Sequence, residues 1–81
     1  MTEYIELDGH KIKEYSHEYL IKTLDLPDYY GRNLDALYDC LTDICEDTEI
    51  HLFNSNEVSL DLIDTFFDAA CANNCLTFTN D

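Results

Sequence analysis

The chain has 81 residues, and four Lys plus Arg against eighteen Asp plus Glu give it a formal charge of −14. That imbalance argues against direct binding of nucleic acid, whose phosphates require cations, and against an anionic membrane surface. Hydrophobic residues make up 46 %, enough for one modest core, so residues 1–81 are expected to form a single small domain whose natural partner is a basic protein.

The N-terminal run Met1-Thr2-Glu3-Tyr4-Ile5-Glu6 lacks the basic region and apolar stretch of a leader. No apolar stretch approaches the roughly 20 residues of a membrane span. The chain is therefore expected to be cytoplasmic, with its four cysteines reduced. The spacings Cys40-x4-Cys45 and Cys71-x3-Cys75 match no common zinc pattern, and neither metal nor cofactor is expected.

Thr2 to Leu7 alternate as a first strand that ends at an Asp8-Gly9 turn. Ser16 is placed to cap a helix over His17 to Leu24, with Tyr19, Leu20, Thr23 and Leu24 facing inward. Leu26 to Arg32 form an aromatic loop: Pro27 ends what precedes it and Gly31 permits a tight bend. Asn33 then caps a helix reaching about Ile44. Glu49 to Phe53 alternate as a second strand, and Asn54-Ser55-Asn56 is a turn. Glu57 or Ser59 opens a last helix to about Ala72, with Leu60, Ile63, Phe66, Phe67, Ala70 and Cys71 as its core stripe. Asn73-Asn74 stops it, and Cys75 to Thr79 is a third strand. Strands separated by helical stretches imply parallel pairing, so the expected fold is α/β: a small single-layer three-stranded parallel sheet with helices packed against it.

The helix after Asn33 carries the most information. At 100° per residue Leu34, Leu37, Cys40, Leu41 and Ile44 share one side, while Asp35, Tyr38, Asp39, Thr42 and Glu46 share the other. Asp35 and Asp39 are four apart, so their carboxylates are neighbours that repel. A helix dipole favours Asp35 in the first turn and water could account for Asp39. Beside Tyr29, Tyr30 and Tyr38, however, the pair makes a compact aromatic and anionic surface suited to a cationic partner.

From Leu26 to Thr42, about a fifth of the chain, the joint Tyr-Tyr-Gly-x-Asn-Leu-Asp-Ala-Leu-x-Asp pattern closely resembles the barstar family, intracellular inhibitors of guanyl-preferring ribonucleases. Outside it, Gly9 and Cys75 are among the few similar positions. The resemblance implies the same architecture with the first strand in the middle of the sheet, and a 1:1 complex of a monomer with a basic ribonuclease or ribonuclease-domain toxin. It implies that Asp39 stands in for an RNA phosphate, with Asp35 facing further basic groups and Tyr29 packing on the enzyme's catalytic histidine. Gly31, Asn33, Tyr38 and Thr42 would complete the patch, with Asp43 at its edge and Asp68 as the nearest match to an acid that the family supplies from its last helix.

The chain departs from the family pattern at several of these positions. Tyr38 and Ile44 stand where better-known members carry tryptophan, and Asp43 replaces a small residue. Arg32 places a positive charge inside the patch, and Ala69 aligns with the last-helix acid. The chain is also shorter than expected between the acidic helix and the last helix, so a short family helix there is expected to be reduced or missing, and Cys45 to Asn56 is where analogy with the family should fail. An enzyme is the weaker reading, because His10, His17 and His51 have no nucleophile at a recognisable spacing and a convex helix face offers no cleft. An acidic interaction or immunity protein that mimics phosphate for another basic partner shares the charge logic and differs only in its target.

Overall fold

The computed structural model describes residues 2–81; Met1, the start of the segment read against a leader, lies outside them. The order of elements is β1 (Glu3–Asp8), α1 (Gly9–Tyr15), α2 (His17–Leu24), α3 (Leu34–Thr42), β2 (Thr48–Phe53), a 3-10 turn (Ser55–Glu57), α4 (Leu60–Ala72) and β3 (Leu76–Asn80). The three strands form one parallel sheet, as alternation with helices requires.

β2, not β1, is the middle strand. It pairs Ile5↔Ile50 and Leu7↔Leu52 on one side and Ile50↔Phe78 on the other. The side chains give the reason. Ile50 and Leu52 are fully buried, whereas Tyr4 on β1 is 73 % exposed, which suits an edge. Consecutive strands also lie side by side, the usual outcome of short crossovers.

The sheet is covered on one face. Leu7, Ile50, Leu52, Leu76 and Phe78 are buried beneath the helices, while Tyr4, Glu6, Thr77 and Thr79 on the other face are exposed. The core gathers these residues with Ile12, Leu20, Leu37, Leu41, Leu62, Ile63 and Phe66. Phe66 stacks on Phe78 with ring centroids 4.9 Å apart. Among the described residues, no helix is long and apolar enough to cross a membrane.

Three local expectations are corrected. First, Asp8-Gly9 is a helix start and not a turn: the Asp8 carboxylate accepts from the His10 backbone N–H at 3.0 Å and caps α1. α1 has one strongly inward apolar residue, Ile12, so it leaves no stripe in the sequence. Gly9 allows this join, since a Cβ there would lie 2.1 Å from the Asn54 carbonyl oxygen. Hydrogen bonding from the Asn54 amide holds the Asp8 carboxyl below its usual range.

Second, Ser16 precedes α2 but makes no side-chain cap; with φ of 54° it is the hinge where α1 and α2 part. α2 itself spans the predicted residues, with Leu20 buried and Tyr19, Thr23 and Leu24 half-buried.

Third, α4 buries Leu62, Ile63, Phe66 and Ala69, leaving Leu60 76 % and Phe67 40 % exposed and Cys71 in solvent. Two overlapping stripes were available to this apolar helix. The one that continues through Ala69 to Asn73 prevails because Asn73 docks on α3. Phe67 still lays its ring edge-on against Phe78 at 4.8 Å. Ser59 provides the N-cap, accepting from the Leu62 N–H at 3.3 Å. Between α3 and α4, the stretch expected to be shortened, β2 is accompanied by no helix except the 3-10 turn Ser55–Glu57.

Candidate partner-binding face

α3 begins where Asn33 puts it. The Asn33 Oδ1 accepts from the Ala36 N–H at 2.8 Å while its Nδ2 donates to the Gly31 carbonyl at 3.2 Å, so one side chain caps the helix and ties down the loop. Leu37 and Leu41 are fully buried, which rolls Asp35 and Asp39 outward into solvent. Asp43, the C-cap, continues the same column, its N–H bound to the Asp39 and Cys40 carbonyls. Three exposed carboxylates at i, i+4 spacing thus neighbour one another along one side of the helix. Asp35 lies at the favourable end of the helix dipole and Asp43 at the unfavourable one, and no basic residue occupies the last turn. The column is a local electrostatic strain that a cationic partner would relieve.

Tyr38 is half-buried and packs against the core, so it offers part of a ring to the surface. Thr42 is half-buried too, with its hydroxyl donating to the Asp39 carbonyl at 3.0 Å. α3 ends at Thr42, two residues short of the predicted Ile44. Asn73 explains the stop. Its side-chain amide faces the carbonyls of Leu41, Thr42 and Ile44 at 3.0, 3.3 and 2.9 Å, serving the acceptors that a helix C-terminus leaves free.

The aromatic loop presents one tyrosine, not two. Tyr29 is 83 % exposed, whereas Tyr30 is 3 % exposed and belongs to the core. The Tyr30 hydroxyl lies 2.6 Å from His17 Nδ1, with the rings tilted and 5.6 Å apart. Burial, with the nearby Cys40 adding to it, pushes the Tyr30 phenol up to about 12. The bend is also displaced from its expected position: Gly31 has no positive φ, and Arg32 takes the left-handed conformation at 54°. Arg32 is not a free cation in the patch, because its Nε donates to Glu18 Oε1 on α2 at 2.8 Å.

Tyr29, Gly31, Asn33, Asp35, Tyr38, Asp39, Thr42 and Asp43 therefore share one loop-and-helix unit. Asp68 lies on α4, exposed on the same side as Asp61 and Asp64, and Ala69 is fully buried. The histidines sit on α1, α2 and β2, with His51 Nδ1 2.8 Å from the Thr79 hydroxyl. Sequence reasoning missed Asn73, His17 and Glu18. Asn73 could be read only as a helix stop, and the partners of His17 and Glu18 lie across a loop that no periodicity links.

These features define a class: a small α/β protein that displays an acidic helix beside an exposed tyrosine. More specifically, the chain belongs to the barstar family, whose model, Barstar (barnase inhibitor), matches residues 1–72. It is also 58 % identical over 40 residues to YrdF of Bacillus subtilis (strain 168), described as a candidate ribonuclease inhibitor. That match covers 47 % of this chain and 44 % of YrdF, so it spans less than half of the relative.

Proposed function

We propose that this protein inhibits a basic guanyl-preferring ribonuclease, of barnase type or in a toxin, by setting α3 and the Tyr29 loop into the enzyme's active site in a 1:1 complex. The observation that carries the reading is the exposed column Asp35, Asp39 and Asp43 on one side of α3, beside Tyr29, in a member of the barstar family. A ribonuclease site holds cations arranged for an RNA phosphate. Carboxylates on a rigid helix match that arrangement, and arginine forks bind them through paired hydrogen bonds.

In this reading Asp39, at the centre of the column, mimics the phosphate. Asp35 and Asp43 meet flanking basic groups, Tyr29 packs on the catalytic histidine, and Thr42 and the exposed part of Tyr38 close the edges. Gly31 and Asn33 shape the loop. Asp68 is left out. The protein acts by occupancy, not by chemistry of its own, and works in the cytoplasm as a monomer. The charge of −14 speeds encounter with a basic enzyme and makes association salt-sensitive.

The experiment is inhibition of a purified barnase-like ribonuclease by wild type and Asp39→Ala, under reducing conditions at low and physiological salt. Tight inhibition that collapses in the variant is expected. A folded wild type that leaves the enzyme active rejects this target.

A further inference from the structure

A groove of about 480 Å³ runs beside the acidic helix, between α3, the loop after α2 and the edge strand β1. Its floor is apolar, laid by Ile5, Leu24 and Ile44, all half-buried. Four carboxylates from three segments stand along it: Glu3 on β1, Asp25 at the end of α2, and Asp43 and Glu46 after α3. Among the described residues that line it there is no Lys, Arg or His. Tyr29 forms one wall, so the groove opens directly onto the face proposed to bind the ribonuclease.

This combination selects its occupant. An apolar floor would reject a hydrated inorganic cation, and the carboxylates would reject an aliphatic or acidic side chain. A cation on a flexible apolar stem satisfies both, with its methylenes on the floor and its head among the carboxylates. Arginine fits better than lysine, because a weakly hydrated planar guanidinium can stack on the Tyr29 ring and fork onto a carboxylate. Resting on the proposed inhibition, we infer that the groove is a second subsite, which receives an arginine side chain of the basic ribonuclease from outside its catalytic centre. The inhibitor then holds its partner at two places, the Asp39 column and the groove.

The test compares Glu3→Gln/Glu46→Gln with Asp61→Asn/Asp64→Asn, which removes the same charge from the exposed side of α4. Dissociation from a purified barnase-like ribonuclease is read by stopped-flow displacement, with folding of both variants checked by thermal melting. The groove pair should dissociate about five-fold or more faster than the control pair, the scale of one charge-assisted contact. Alkylation of Cys40, which lies in the groove wall, should also slow when wild type is bound. Tight inhibition with equal dissociation of the two pairs, or with unchanged Cys40 alkylation, overturns the groove and leaves the inhibitor reading standing. No inhibition by wild type overturns both.

Discussion

The side-chain amide of Asn73 reaches the Ile44 carbonyl at 2.9 Å, so the residue that ends α4 also fixes the end of α3. Buried and facing the Leu41 and Thr42 carbonyls as well, it replaces the water those acceptors would otherwise need. Asn73→Ala leaves the Thr42 and Ile44 carbonyls without a protein donor and should cost about 2–3 kcal/mol, lowering Tm by roughly 10 °C or more. Urea unfolding and thermal melting monitored by circular dichroism would check this. A loss under about 0.5 kcal/mol, the ordinary effect of a surface change, would mean that the clamp does not hold the helix.

Asp39→Ala should move stability and binding in opposite directions. It removes like-charge contacts with Asp35 and Asp43, each worth about 0.2–0.5 kcal/mol, and introduces a better helix former. The free protein should gain about 0.5–1 kcal/mol while affinity for the proposed ribonuclease target falls about 30-fold or more, because in that complex its cations would be left buried and unpaired. Melting curves and inhibition constants measured on one preparation decide it. If stability and inhibition fall together, the variant has damaged the fold instead.

Gly9→Ala tests the join between β1 and α1. In an ordinary helix the change would stabilise, but here the new Cβ meets the Asn54 carbonyl oxygen at 2.1 Å. Backbone must shift, and a loss of about 1–3 kcal/mol is expected from chemical denaturation. A stabilised variant would show that the Asn54 turn yields freely.

Tyr30 makes a pH prediction. Its phenol is raised to about 12 in the folded protein from the ordinary value of 10, chiefly by burial. The unfolded chain therefore releases this proton first. The contribution is fully present below pH 10 and is lost as pH rises to 12. Stability of the wild type should fall more steeply across that window than that of Tyr30→Phe, which has no such proton. Parallel curves from denaturant unfolding at several pH values would mean that Tyr30 titrates as an exposed phenol.

The elements that could be read from sequence were those whose periodicity and punctuation agreed. α3 was legible because Asn33, Leu37 and Leu41 give cap and stripe together, and α2 because Leu20 and its neighbours face one way. α1 was not, since a helix with Ile12 as its strongly buried apolar residue has no pattern to show. In α4 the abundance of apolar residues hid the choice between two stripes, and the contact that made it, Asn73 on α3, joins residues about 30 apart in sequence. The candidate face was visible as a run of residue types. What could not be seen was which side chains the fold withdraws: Tyr30 into the core against His17, and Arg32 toward Glu18. Strand order eluded the reading for a related reason, because alternation reveals that a strand has a buried face but not how many neighbours it has.

The proposed face from Tyr29 to Asp43 is one uninterrupted stretch of chain, while the groups that hold it, among them Asn73, Glu18 and His17, lie outside that stretch. The main proposed recognition face and several of the groups that brace it are therefore written in separate parts of the gene. Substitutions confined to the outward positions of this stretch can change the partner without disturbing the frame. Exchanging the segment between relatives, with the Leu37 and Leu41 side of the helix unchanged, would carry target preference as a module. A lineage facing new ribonucleases would find its main point of variation in this short cassette, with the groove carboxylates Glu3, Asp25 and Glu46 as a second, separate one.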